Sequence, residues 1–285
     1  MAVKFTKPEI NVREKLAELD KPSGIAGEAM LRAETPQEQF NLIGAGRRNL
    51  LINGDMQVKQ RGTSYSNVAS NGYYTVDRWA FELSGDAFDL SISAGPAGFP
   101  SANKISRNTT ASLDSSDFVL LAQKIEAQNL QLLKYGSTEA QSITFSFWVK
   151  STAAGSYALN LYVNDSGSAR IATKSYSIFT EDTWEHKSIT FEGDHSGQIN
   201  NDTGTGMWCQ WFVRAGSTYT GGGATGGWEA FTNGKYGDGQ TADFMSSANG
   251  SFEITGVQME VGKVATPFEH RSYGEELALC KRYFQ

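Results

Sequence analysis

Ile143-Thr-Phe-Ser-Phe-Trp-Val149 alternates with a period of two. Ile143, Phe145, Phe147 and Val149 fall on one face and Trp148 on the other, the pattern of a strand with one face in a core. Working outward, Tyr157, Leu159, Leu161 and Val163 repeat the pattern, and Asn164-Asp-Ser-Gly167 closes the segment as a turn. Tyr73, Thr75, Asp77, Trp79, Phe81 and Leu83 are predicted to share one face of a single strand, and Phe88-Asp-Leu-Ser-Ile92 alternates as well. Phe118 to Glu126 is mostly apolar, as expected of a strand buried on both sides. Trp184 to Phe191, Met207 to Val213 and Phe252 to Val261 bring the expectation to nine or ten strands with no long helix between them. Short strands at this spacing predict a mainly β protein, a β-sandwich. Its length favours a jelly roll over an immunoglobulin-like sandwich. Trp79 and Trp184 are expected in its core.

Composition agrees. Glycine (30 residues) and aromatics (12%) run high, and charged residues (20%) run low, in a chain of 285. A net charge of -6 without clustered Lys and Arg argues against nucleic-acid binding. Arg47-Arg48 reads as a solvated hinge before the first strand. No apolar run approaches the length of about 18 residues that a membrane span needs, so no membrane insertion is expected. Cys209 and Cys280 lack metal-ligand spacing and are expected to be buried free thiols.

Residues 1–48 differ in kind. Thr6-Lys-Pro-Glu9 offers a helix start, after which Val12, Leu16 and Leu19 fall on one stripe until Asp20-Lys-Pro22. Residues 26–34 allow a second short helix. Thr35-Pro-Gln-Glu38 starts another, carrying Phe40 and Ile43 and closed by Gly44. Helices this short are marginal alone in water, so the stripe must be buried against something. The expected organisation is an N-terminal arm (1–48), a sandwich (49–264), and a closing turn with a short capped helix (265–285).

Two segments carry a family resemblance. Phe252-Glu-Ile-Thr-Gly-Val-Gln-Met-Glu-Val-Gly262, running into Ala265-Thr-Pro-Phe-Glu-His-Arg-Ser-Tyr-Gly-Glu-Glu-Leu-Ala-Leu-Cys-Lys-Arg-Tyr-Phe284, resembles the C-terminal signature of bacteriophage and prophage tail-fibre proteins. Asn49-Leu-Leu-Ile-Asn-Gly-Asp-Met-Gln-Val-Lys-Gln-Arg-Gly62, with Asp77-Arg-Trp79, is similar to the opening signature of the same group. The resemblance implies a virion protein with a jelly roll similar to carbohydrate-binding modules. It further implies a homotrimer, assembled in the host cytoplasm, that attaches the particle to a host surface glycan. It supplies no catalytic residue. Residues 1–48 would then dock onto other virion proteins or onto the trimer itself. The alternatives are a neck, collar or capsid-decorating protein built on the same sandwich, and a polysaccharide depolymerase.

The candidate sugar-binding residues are aromatic. Gly216 to Gly239 holds nine glycines among its 24 residues, with Tyr219, Trp228 and Tyr236 spaced between them. Planar rings stack on the apolar faces of pyranoses, although such rings also fold back onto a sandwich. Trp148 and Trp208 are predicted on the outer faces of their strands, where a neighbouring subunit or a sugar would cover them. His186, His195 and His270 are isolated, and His270 is expected to pack locally. Asp165, Asp182, Asp194, Asp202, Asp238 and Asp243 neighbour turn residues and read as turn caps. The same carboxylates are candidates for a structural Ca²⁺; no other cofactor and no metal site is predicted.

Overall fold

The computed structural model describes residues 48–107, 109–110, 112–246 and 248–284, together with Arg32. The chain divides into two units, Met1–Gly46 and Arg47–Gln285, and the second carries every feature below. The arm residues Val12, Leu16, Leu19, Phe40 and Ile43 lie outside the described residues.

In chain order the strands are Ser64–Val68 (β1), Gly72–Tyr73 (β2), Ala80–Ser84 (β3), Phe88–Ser93 (β4), Ala102–Arg107 (β5) and Phe118–Glu126 (β6). Ile143–Ser151 (β7), Gly155–Val163 (β8), Arg170–Ile178 (β9) and Glu185–Phe191 (β10) follow. Thr205–Ala215 (β11), Glu229–Ala230 (β12), Gly250–Val261 (β13) and the helix Tyr273–Lys281 (α1) complete the set. One sheet has the order β1-β4-β5-β13-β7-β10 and the other β12-β9-β8-β11-β6-β3-β2. The chain crosses repeatedly between the two antiparallel sheets, giving the expected jelly-roll β-sandwich.

The core follows the predicted alternation. Ile143, Phe145, Phe147 and Val149 are fully buried, as are Tyr157, Leu159 and Leu161 from β8. Trp211 of β11 sits among them, its ring centroid 5.3 Å from Trp79, 5.7 Å from Phe145 and 5.9 Å from Phe147. Each such ring contributes on the order of 2 kcal/mol through burial. β6 is buried on both sides: Leu121 and Ile125 join this core, while Leu120 and Ala122 join a second cluster on the outer face of their sheet.

Three expectations need correction. Tyr73 to Leu83 is not one strand; β2 ends at Tyr73, and a turn intervenes before β3. The indole of Trp79 donates to the Asn53 carbonyl at 3.0 Å, and Arg78 takes φ 75°, which interrupts the extended backbone between the two strands. Trp184 lies half-exposed just before β10, with the Lys150 ammonium 5.1 Å from its ring centroid, so it is not core. Arg48 is no solvated hinge: its N–H donates to Glu269 at 3.1 Å and its guanidinium to Thr266 at 2.7 Å.

Every residue of β13 is buried, although Glu253, Thr255, Gln258 and Glu260 are polar. The strand's register against β7 slips by one residue between Thr255 and Gln258, a β-bulge at Gly256 and Val257. Residues 49–54 fit alongside that bulge. The Asn49 amide donates to the Val257 carbonyl and accepts from Met259 N–H, both at 3.0 Å, while Val257 N–H donates to the Gly54 carbonyl at 2.9 Å. A Cβ at Gly54 would stand 2.0 Å from the Val257 carbonyl oxygen, so only glycine permits this approach. Asn53 donates to the carbonyls of Val58 and Asp77 and accepts from Val58 N–H, each at 2.9 Å. Gln123 of β6 exchanges two hydrogen bonds with the Ile52 backbone, at 2.7 and 2.8 Å.

The C-terminal segment locks this arrangement from outside. Ser272 and Glu275 form a capping box that starts α1, and Cys280 packs with Ile52 and Val58. Arg271 donates to the carbonyls of Asn49 and Leu51 and pairs with Glu269 at 2.9 Å and Glu276 at 3.4 Å. The two carboxylates respond oppositely. Burial raises Glu276 above the usual carboxylate range, against the pull of Asn53 N–H and Arg271. At Glu269 burial acts the same way but is outweighed by the N–H groups of Asn49 and Arg48 and the charge of Arg271, which hold it below that range.

Asn53→Ala leaves a buried N–H and two buried carbonyls without their side-chain partner. The expected loss is about 3 kcal/mol or more in urea-induced unfolding. A loss under about 1 kcal/mol would show that the clasp is not holding the sandwich.

Candidate functional site

On the outer face of the six-stranded sheet, β7 presents Trp148 and its neighbour β10 presents His186 directly opposite. Their ring centroids are 5.2 Å apart with planes at 57°. The other neighbour, β13, pairs Thr255 with Trp148 and then bulges, so that Gly256, at φ 60°, lies beneath the indole. A Cβ on Gly256 would stand 2.8 Å from the Phe99 ring and 3.1 Å from the Trp148 ring.

Two loops wall the remaining sides. Phe99 enters through a turn in which its N–H donates to the Pro96 carbonyl at 2.9 Å. Phe268 and His270 stand against it, with centroids 5.1 and 5.4 Å from Phe99 and 4.9 Å from each other. That second loop is held from below: Thr266 N–H donates to Glu260 at 3.0 Å, and Glu269 N–H donates to Gln258 at 2.7 Å. The groove so formed has a volume of about 470 Å³. Its lining mixes these rings with Pro267 and the hydroxyl-bearing Ser146 and Thr266, and among the described residues contains no carboxylate. Partial burial, helped by the adjacent Lys187 charge, lowers His186 below the ordinary imidazole value. A wall of rings above a glycine floor, with two imidazoles at the edges, can stack on the apolar face of a pyranose and hydrogen-bond at its rim.

Of the five aromatic candidates, Trp148 alone lies in this groove. Phe99, His186, Phe268 and His270 accompany it, and sequence reasoning did not single them out as a site. The other four lie elsewhere. Trp208 is half-exposed on the opposite sheet, with the Lys124 ammonium 3.8 Å from its ring centroid and the Tyr162 ring edge-on at 6.3 Å. Tyr219 and Tyr236 turn back onto that outer face, covering Leu120, Ala122 and Phe212. Tyr236 lies 5.0 Å from Phe212, and its hydroxyl accepts from Gln210 at 2.6 Å. Burial pushes this phenol up to about 12, against the Gln210 hydrogen bond. Trp228 packs edge-on to Tyr135 at 5.5 Å and donates to the Glu192 carbonyl at 2.9 Å. The glycine-rich segment is therefore a strap tied down by its own rings.

The remaining polar candidates have local partners. Asp165, Asp202, Asp238 and Asp243 accept from the backbone N–H groups of Asn200, Gly204, Ala224 and Met245. Asp194 holds Arg170, and Asp182 takes φ 54° in a turn. His195 bonds to the Ser137 carbonyl at 2.9 Å. Cys209 and Cys280 are buried free thiols, as expected. Among the described residues no three His, Cys, Asp or Glu side chains group as a metal site.

No family model matches the chain and no curated protein matches it, so the tail-fibre resemblance of residues 49–62 and 252–284 stands without a family match. Solved structures do match. The enzymatically active domain of tailspike protein 4 from bacteriophage CBA120 is 11% identical over 75% of this chain and 21% of that chain, with a TM-score of 0.41. This chain thus spans about a fifth of that domain's chain. The family 11 carbohydrate-binding module of the Clostridium thermocellum cellulase Lic26A-Cel5E is 14% identical over 78% of this chain and 97% of that one, at 0.33. TmCBM61, solved with β-1,4-galactotriose, is 13% identical over 75% and 99%, at 0.35. At these TM-scores the likeness is loose, and the functional reading rests on the groove itself.

Tyr236→Ala removes a ring from the cluster that covers the outer face. The expected loss is about 1–3 kcal/mol by thermal or urea unfolding. An unchanged melting temperature would show the strap to be free of the sheet.

Proposed function

We propose that this chain is a glycan-binding module of a phage virion, an adhesin of the tail-fibre kind that holds a host surface polysaccharide without cleaving it. The observation that carries the reading is the half-exposed Trp148 in a groove whose walls are rings and whose floor is a glycine bulge. Such a site provides stacking surfaces fixed in advance, so little ordering is needed when a sugar binds. Hydrolysis by the usual route needs two carboxyl groups about 5–10 Å apart across the bond, and the groove lining holds neither. The family resemblance of the two terminal signatures supports a place on the virion. A homotrimer docked through residues 1–48 is the form in which several weak sites would act together, and multivalency raises avidity without any new contact.

The test is a screen of galacto- and gluco-oligosaccharides and bacterial surface polysaccharides against the wild-type protein and Trp148→Ala. Loss of the ring is expected to weaken binding roughly tenfold, the equivalent of about 1.4 kcal/mol, with the circular dichroism spectrum retained and no shortening of the polysaccharide. A folded Trp148→Ala protein that binds like wild type would overturn the assignment of the groove, and release of shorter chains would overturn the non-catalytic reading.

A further inference from the structure

A second cavity, of about 250 Å³, opens between the turn after β2, the Arg61 segment and the end of α1. It shares no lining residue with the Trp148 groove. Arg61, Arg78 and Arg282 line it together with Asp77, Cys280, Tyr73 and Tyr283. Two of the three guanidiniums are matched within the protein. Arg61 pairs with Asp77 at 3.2 Å, and Arg282 grips Glu126 with two hydrogen bonds, at 3.1 and 2.9 Å.

Arg78 differs from both. Only 8% of it is exposed, and among the described residues no carboxylate lies within ion-pair distance and the Nε group has no hydrogen-bond partner. Its Nη2 donates to the Lys124 carbonyl at 2.5 Å, and its guanidinium carbon lies 3.5 Å from the Tyr283 ring centroid. A buried charge normally has a counter-charge, because desolvation is otherwise uncompensated. Burial is the largest influence on this group and lowers it from the ordinary guanidinium value. The backbone adds a further sign: φ at Arg78 is 75°, the left-handed region that a non-glycine residue occupies at a cost, and such strain gathers at binding sites.

With Arg61 and Arg282 neutralised by their own partners, the cavity is left one positive charge in excess. We propose that it binds a single carboxylate, that of an acidic sugar such as a uronic acid. Arg78 would supply the charge, and the rings of Tyr73 and Tyr283 would supply flanking walls. The planar guanidinium fits a planar carboxylate through paired N–H donors, and one excess charge suits a monoanion better than a phosphate dianion. The cavity's small volume suits one sugar residue and not a chain. This proposal stands whether or not the Trp148 groove binds a glycan.

The experiment is calorimetric titration of the full chain with D-galacturonate, D-galactose and inorganic phosphate at matched ionic strength. Galacturonate is expected to bind at least tenfold more tightly than galactose, and Arg78→Gln is expected to lose at least tenfold in galacturonate affinity. Should Arg78→Gln fail to fold, the exposed Arg282→Gln decides instead. It frees the Glu126 charge beside the cavity and is expected to weaken galacturonate at least threefold. Equal binding of galacturonate and galactose, binding of phosphate without galacturonate, no binding at all, or unchanged galacturonate affinity in the folded variant would each overturn the proposal.

Discussion

The one-residue bulge of β13 at Gly256 and Val257 is the constraint on which the rest depends. Beyond Ile254, where pairing with β5 ends, the edge of β13 opposite β7 is open, and Val257 and Met259 direct N–H and carbonyl groups there toward residues 49–54. The bulge turns the Val257 backbone out of the ladder, and Asn49 and Gly54 satisfy it. On the outer face of the same sheet, Gly256 supports the Trp148 and Phe99 rings at distances no side chain would tolerate. One irregularity therefore closes the domain and shapes the groove.

Its environment is unusually polar for the centre of a sandwich. Asn49, Asn53, Gln123, Thr255, Gln258 and Glu260 are all buried, and their partners come from both ends of the domain. A half-satisfied network here would be worse than an apolar one, because each orphaned buried group costs about 1–3 kcal/mol. That cost ties the chain's two resembling segments into a single requirement. Residues 49–62 need the bulge, and residues 258–276 need the backbone of residues 48–53 to accept Arg271 and to donate to Glu269 and Glu276. The loop carrying Phe268 and His270 is held by the same carboxylates and amides that close the fold, so the groove inherits the rigidity of the core.

Much of the architecture could be read from side-chain parity. The inner faces of β7, β8 and β11 follow strict alternation, and the outward position of Trp148 came from the same rule. β9 escaped notice because Lys174 occupies an inner-face position, its ammonium reaching the Thr190 carbonyl at 2.7 Å; the period is broken although the strand is not. β1 is polar and largely exposed along its length, so no hydrophobic pattern marks it. The groove was hidden for a different reason. Its rings come from positions 99, 148, 186, 268 and 270, which only the sheet order and one bulge bring together. Parity also says nothing inside a loop, and so the inward turn of Tyr219 and Tyr236 could not be distinguished from an exposed platform. A single glycine inside the strand, Gly256, carried the local signal of the bulge.

The crystal structure of the Gly256→Ala protein tests this account most directly. The added Cβ meets Phe99 at 2.8 Å and Trp148 at 3.1 Å if nothing moves, and alanine resists φ near 60° by about 1–2 kcal/mol. The account predicts that the Phe99 and Trp148 rings are displaced, that the groove narrows, and that the contact of Val257 with Gly54 lengthens. An unmoved bulge with both rings in their original positions would contradict it.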